Sequence, residues 1–266
     1  MTNDSGWQVP DDAPRHYQDQ VQRFMTPFAE ALVATAVSPG DSVLDVACGT
    51  GIATRAAASA VGIAGNVVGS DINVPMLSLA AEITEEANDG ITWQEASALD
   101  LPYDDGAFHC AISQQGIQFF PDVAAGLGEM ARVTKAGGRV AVTVWSGLID
   151  SPYFEAMHHV LKEYCGASDE DLAWSSDHAQ LSRWFIQGGL RPPAIQRVSR
   201  TVSFPPLDTY VPAHMKATPW AAQFDALSDS ETASAVGYMI DSLSKWSTGT
   251  AVTTPFVSLL ASSDVP

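Results

Sequence analysis

The sequence predicts an α/β fold: a three-layer sandwich in which a seven-stranded, mostly parallel sheet lies between helices and the last strand runs antiparallel. Three observations predict it. From residue 38 onward, short apolar runs alternate with segments of helical period. The first of these runs ends in a glycine turn, Cys48-Gly49-Thr50-Gly51. Two late runs, Ala194 to Phe204 and Val252 to Ala261, have no helical crossover of the usual length between them. Strands apolar on both faces and separated by helices imply a covered parallel sheet, whereas strands joined without such a crossover imply antiparallel pairing.

The elements follow in order. Ser42 to Ala47 reads as a buried strand, and Ile52 to Val61 as an Ala-rich helix. Asn66 to Asp71 makes a second strand and Val74 to Ala87 a second helix. Ile91 to Ala96 and, after a turn at Asp104-Asp105-Gly106, His109 to Ser113 give two more strands. Asp122 can cap a helix running to Lys135, with Gly137-Gly138 as its left-handed stop. Arg139 to Trp145 is the fifth strand. Tyr153 to Tyr164 and Gln180 to Gln187 are amphipathic helices, the first carrying Phe154, Met157, His158 and Leu161 on one face. Between the two final strands lies a stretch rich in Pro, Met, Trp and polar residues, with a helical segment at Ser230 to Trp246. The expected division is an N-terminal helical cap (1–30), a core (31–204 and 250–266) and a lid insertion (205–249).

Composition bounds the function. A chain of 266 residues that is 46% hydrophobic buries roughly 70 to 75% of its unfolded surface and needs no staple to fold. It carries 13 Lys and Arg against 31 Asp and Glu, a formal charge of −18, and only Lys216 and Lys245 are basic after Arg200. Nucleic-acid binding rests on basic residues that neutralise phosphates, so DNA and RNA are poor partners for this chain. Cys48, Cys110 and Cys165 are odd in number and show no metal-binding spacing, which suits a reducing compartment and predicts no metal site. Met1 to Asp12 lacks the basic and apolar regions of a signal peptide, and no apolar run reaches the ~18 residues of a membrane span. A cytoplasmic location is expected.

In an open parallel sheet, ligands bind beyond the carboxyl ends of the strands. The run Asp45-Val46-Ala47-Cys48-Gly49-Thr50-Gly51 stands at that point, and Asp71 closes the second strand. Glycines allow close backbone approach, and a carboxylate at Asp71 can accept both hydroxyls of a ribose. A dinucleotide site would require a third glycine in G-x-G-x-x-G, where this chain has Thr54. Asp45, inside the first strand, suits a ligand ammonium and would repel a pyrophosphate.

This combination resembles the class I S-adenosylmethionine-dependent methyltransferases, whose fold is a Rossmann-like three-layer sandwich. Val43 to Gly51 looks like their first motif, Val68 to Asp71 with Met76 like the second, and Ala98 to Phe108 like the segment over the adenine. Arg132 to Arg139 resembles the junction before the fifth strand. The match covers about residues 40 to 146 and is most similar to the small-molecule branch that contains quinone-biosynthesis C-methyltransferases. It implies S-adenosyl-L-methionine as cofactor, with Asp45, Ala47, Cys48, Gly49, Thr50 and Gly51 facing the methionine moiety. Asp71 would hold the ribose, and Ile72 and Met76 would sandwich the adenine. Ser97, Ala98 and Leu99 would border the adenine edge, and Gln114 would contact cofactor or acceptor. Ser97 stands where the family usually has an acid, His109 replaces another acid, and Ala136 replaces a common proline.

A methyl group on a sulfonium is already activated, so positioning and water exclusion supply much of the rate, and a base is needed only for some acceptors. His16 and Tyr17 in the cap and His214 in the lid are the candidate catalytic residues. For His214 lid packing is the stronger reading; His158 reads as a core or pocket-wall residue, and His159 and His178 as solvated. Cys48 reads as packing, since nothing basic adjoins it in sequence. Gln115 and Trp145 at strand ends are expected to line the pocket. The predicted activity is methyl transfer to O, C or N of a small apolar or aromatic molecule, in a chain that could form a homodimer. The competing expectation is a protein of this fold that binds the cofactor without methylating.

Overall fold

A computed structural model describes residues 13–85, 90–249 and 251–266. The expected end of the second helix at Ala87 and the leader reading of residues 1 to 12 lie outside the described residues. In chain order the elements are α1 (Ala13–Ala36), β1 (Ser42–Val46), α2 (Ile52–Val61), β2 (Asn66–Asp71), α3 (Val74–Glu85), β3 (Ile91–Glu95), β4 (Phe108–Gln114), α4 (Val123–Val133) and β5 (Thr134–Trp145). There follow α5 (Pro152–Cys165), α6 (His178–Gln187), β6 (Ala194–Phe204), α7 (Leu207–Met215), α8 (Ala221–Asp225), α9 (Asp229–Ser242), the two-residue β7 (Ser247–Thr248) and β8 (Ala251–Asp264).

Seven strands form the path β3-β2-β1-β4-β5-β8-β6, and β7 adds an eighth by pairing with β8. The first five pair in parallel. β8 enters between β5 and β6 and runs against both. Since β8 opposes each neighbour, β6 points the same way as β5, so of these two long late strands only β8 is reversed in the sheet. A strand that arrives last between two others can bury both faces, and Phe256 to Ala261 are buried without interruption.

Alternate side chains of the sheet enter two separate cores, as the period of two requires. Val43, Cys110, Ile112 and Ala141 belong to one, with α1, α2, α5 and α7 to α9 above them. Leu44, Ala111, Val140 and Val142 belong to the other, with Leu127, Met130 and Val133 of α4 and Leu181 and Phe185 of α6. Helix α1 continues through residue 30, the boundary expected between cap and core, and buries Phe28 and Leu32 completely.

Asp122 caps α4 as expected, its side chain accepting from the Ala125 amide. The glycine stop is different. Helix α4 ends at Val133, and Thr134 is already extended. Gly137, with φ +76°, donates its amide to the Val265 carbonyl, and the β4–β5 register shifts between Phe108 and Cys110. A Cβ on Gly138 would stand 2.5 Å from the His109 carbonyl oxygen. The pair therefore shapes a bulge wedged between β4 and the chain's end, which explains glycine there without a helix cap.

Candidate functional site

The site lies where the sheet order turns, at the carboxyl ends of β1 and its neighbours β2 and β4. Beyond β1 the chain must leave the sheet and enter α2 within five residues, and Ala47, Gly49 and Gly51 do so with φ of +56°, +55° and +79°. Ala47 takes a conformation that costs an L-residue about 1 kcal/mol or more. At the end of β4, Gln115 does the same with φ +52°. Both strained residues line one cavity of about 250 Å³.

The two glycines serve different ends. Apart from its chain neighbours, no atom of the described residues lies within 4 Å of where a Cβ on Gly49 would stand. A Cβ on Gly51 would enter the Trp93 ring. Gly49 lines the cavity and Gly51 does not, so Gly51 lets the turn pack under β3. Thr50 Oγ1 donates to Gln18 Oε1 at 2.7 Å, which fastens α1 to the turn.

The two acids flank this turn. Asp71 accepts from the Gly49 amide at 2.7 Å and from the Asn73 amide at 2.8 Å. Burial raises its pKa, against the pull of those amides. Asp45 accepts from Thr54 Oγ1 at 2.6 Å through Oδ2, while Oδ1 is closed from solvent and has no hydrogen-bond partner among the described residues. Burial pushes Asp45 up to about 7. The Cys48 thiol is pushed well above its ordinary value, first by burial and then by Asp71 and Asp45, which disfavours the thiolate a nucleophile needs.

One wall of the cavity includes Ile72, Met76, Ser97, Ala98 and Leu99, with Ser97 Oγ accepting from the Leu99 amide at 3.2 Å. Gln114 ends β4, on the other side of β1 in the sheet, and donates Nε2 to the Met25 carbonyl at 2.7 Å, tying β4 to α1. Gln115 donates to Ser258 Oγ at 2.9 Å, and its own Oε1 is buried with no hydrogen-bond partner among the described residues. Much of the remaining wall is aromatic: Phe24, Trp145, Phe154, Trp174 and Trp220, with Phe119 and Phe120 following β4 in the chain. Phe24 contacts Trp145 and Phe154 at centroid distances of 6.2 and 5.8 Å.

Of the candidate catalytic and cofactor residues, and of Gln115 and Trp145, all line this cavity except Gly51 and His16. Tyr17 lines it with its phenol pKa raised, first by burial and then by Asp71. His214 lines it with its pKa lowered to about 4, by burial and then by Arg23. His158 does not line it, and His159, read as solvated, stacks on Tyr238 at 3.9 Å. Sequence reasoning missed Asn73, Trp174, Tyr153 and the Thr54 hydroxyl. Thr54, a small polar side chain three residues past Gly51 in an alanine-rich helix, was the one available signal. Among the described residues no cluster of three His, Cys, Asp or Glu could hold a metal, and no helix is long and apolar enough to cross a membrane.

A glycine turn after β1, an acid ending β2 and a reversed last strand define a Rossmann-like fold of the methyltransferase class, and comparisons agree. The chain belongs to the ubiE/COQ5 methyltransferase family, whose model matches residues 22–167. It is 37% identical over 110 residues to the 2-phytyl-1,4-naphtoquinone methyltransferase of Synechococcus elongatus, an alignment covering 41% of this chain and 47% of that one. The chain thus spans about half the length of the curated relatives it matches. Among solved structures it is similar to phosphoethanolamine N-methyltransferase 2 of Haemonchus contortus, with TM-score 0.61 at 16% identity, covering 96% of this chain and 57% of that one. It is also similar to the [4+2]-cyclase SpnF, with TM-score 0.54 at 18% identity, covering 91% and 81%.

Proposed function

We propose that this chain transfers a methyl group from S-adenosyl-L-methionine to O, C or N of a small apolar or aromatic molecule. The observation that carries the reading is Asp45. Asp45 is a fully buried acid on the cavity wall with no ion-pair partner among the described residues, and a cationic group bound in the cavity would stabilise its carboxylate. An ammonium or sulfonium ligand would do so, and a phosphate would not.

The other groups fit the same ligand. Asp71 uses one lone pair of each oxygen on backbone amides and keeps capacity for hydroxyls. The cavity surface at Ile72, Met76 and Leu99 is apolar, which suits an adenine. Bound there, S-adenosylmethionine supplies a methyl group already activated by its sulfonium. This chain's part is then to hold the two reactants in line and exclude water. The aromatic walls do the second, and neither Cys48 nor His214 is poised as a base at neutral pH.

In this reading the described part of the expected cap, residues 13–30, covers the site together with a lid at 205–249; Tyr17, His214, Ala217, Thr218 and Trp220 from these segments all line the cavity. The charge of −18 favours a small molecule over nucleic acid as acceptor. Three free cysteines fit the reducing cytoplasm. A homodimer is compatible with this reading.

Titration calorimetry with S-adenosylmethionine and S-adenosylhomocysteine tests the proposal, and absence of binding by both ends it. The similarity to a cyclase is a reminder that the fold alone does not fix the reaction. Formation of S-adenosylhomocysteine with a panel of hydroxyaromatic acceptors separates methyl transfer from cofactor binding without transfer.

A further inference from the structure

We propose that His214 is a fixed hydrogen-bond donor that selects acceptor molecules carrying an oxygen, and that Tyr153 sets the tautomer that makes it one. The inference rests on the methyl-transfer reading for the identity of the pocket's occupant and on separate geometry for the role of the histidine.

Tyr153 Oη lies 2.6 Å from His214 Nδ1. Tyr153 is completely buried, and His214 is its hydrogen-bond partner among the described residues. If Nδ1 carried the proton, the phenol proton would be stranded in an apolar interior, a cost of about 1–3 kcal/mol. The phenol therefore donates to Nδ1. A neutral imidazole that accepts at Nδ1 carries its proton at Nε2.

Nε2 has no hydrogen-bond partner among the described residues, and it is not one of the sealed unpartnered atoms. The residue is only 6% exposed and lines the cavity. The N–H is thus an open donor. The ring cannot swing away, because Phe24 meets it edge-on at 5.9 Å, Tyr210 stacks on it at 5.6 Å, and Tyr153 holds its other nitrogen. The low pKa that burial and Arg23 give the imidazole agrees with a neutral ring. In a wall of Phe24, Phe154, Trp174 and Trp220, one rigid donor rewards an oxygen-bearing face of a flat ligand and fixes which edge it turns toward the lid.

Two measurements on the full chain with S-adenosylhomocysteine present test this. Nitrogen-15 NMR of labelled histidine should show His214 neutral at pH 7 with the proton on Nε2, and Tyr153→Phe should mix the two tautomers. Tryptophan fluorescence should show 1-acetonaphthone binding about fivefold to tenfold more tightly than 1-ethylnaphthalene, the worth of one hydrogen bond. His214→Phe should reduce that preference to about twofold or less, and His214→Gln, which keeps a donor, should restore part of it. A proton on Nδ1, or a preference that survives in His214→Phe, overturns the inference. Failure of S-adenosylhomocysteine to bind would overturn the methyl-transfer reading instead, while the tautomer and the probe preference are still read on the same protein.

Discussion

Thr54 Oγ1 donates to Asp45 Oδ2 at 2.6 Å across the gap between α2 and β1, and Asp45 Oδ1 has no hydrogen-bond partner among the described residues. One hydroxyl thus holds a buried carboxylate half satisfied. Removing it should be felt twice. Thr54→Val keeps the side-chain shape, so the loss of the hydrogen bond should cost about 1–3 kcal/mol of stability, read by urea unfolding. It should also free the carboxylate to rotate and weaken S-adenosylhomocysteine binding by about fivefold or more in calorimetry. Unchanged affinity would mean that Asp45 is not oriented for the ligand.

The pH dependence of Asp45 has a definite sign. Burial raises its folded pKa from 3.8 to about 7. Between those values the folded protein binds a proton that the unfolded chain has released, so the group's contribution is complete below pH 3.8 and is lost as pH rises toward 7. Asp45→Asn removes this dependence. The stability of the variant relative to the parent should therefore improve as pH rises from 5 to 7, by up to about 1.4 kcal/mol per pH unit, and level off above. Affinity for a cationic ligand should run the opposite way in the parent, strengthening through pH 7 as the carboxylate ionises. A flat stability difference across that window would place the Asp45 pKa in the ordinary range.

Gly49 and Gly51 are two residues apart and should fail differently. Both have left-handed φ, so alanine strains the backbone at either by about 1 kcal/mol. At Gly51 the new methyl also meets the Trp93 ring, and the stability loss should reach about 2–4 kcal/mol. At Gly49 the methyl meets open space, so Gly49→Ala should lose little more than the backbone strain but bind S-adenosylhomocysteine about tenfold or more weakly. Equal affinity loss in the two variants, at matched stability, would remove the distinction between a ligand-facing and a packing glycine.

These contrasts mark how far the sequence could be read. The turn, Asp45 and Asp71 were legible because each sits in a short contiguous segment whose chemistry needs few neighbours. The division of labour between Gly49 and Gly51 was not, because it depends on Trp93, more than forty residues on. Gly137-Gly138 reads locally as a helix stop, yet its partners are Val265 and His109. The same limit hid Tyr153: it stands at the start of an apolar helix and looks like core, and only the fold brings His214 to its hydroxyl. The order of β8 and β6 also escaped the periodicity, since an alternating pattern says that strands pair and not which lies between which.

Helix α1 is fastened to the turn by Gln18, whose Oε1 accepts from Thr50 Oγ1. The helix itself is anchored independently by Phe28 and Leu32, both fully buried. Gln18→Ala should therefore leave the unfolding free energy within about 0.5 kcal/mol of the parent, as for a partly exposed polar contact. It should loosen the N-terminal end of α1, measured as faster amide exchange across its first two turns, and weaken S-adenosylhomocysteine binding modestly. Leu32→Ala, by contrast, should cost about 2–5 kcal/mol and alter exchange over the whole molecule. Were Gln18→Ala to destabilise globally, the α1 terminus would belong to the folding core and not to a movable cap.

The excess of acids gives a last expectation. Asp45 and Asp71 line the cavity, and the chain as a whole carries −18. S-adenosylmethionine bears a positive sulfonium that S-adenosylhomocysteine lacks, so a negative field favours the methyl donor over its product. Two sources of that field respond differently to salt. Charges on the surface are screened beyond about 10 Å at 0.1 M, whereas buried carboxylates are screened much less. If the surface matters, the preference for S-adenosylmethionine should shrink as sodium chloride rises from about 20 to about 500 mM. If only the cavity matters, the ratio should hold across that range and fall in Asp45→Asn. A ratio that is flat in salt and unchanged in Asp45→Asn would leave the charge to solubility and take it out of ligand choice.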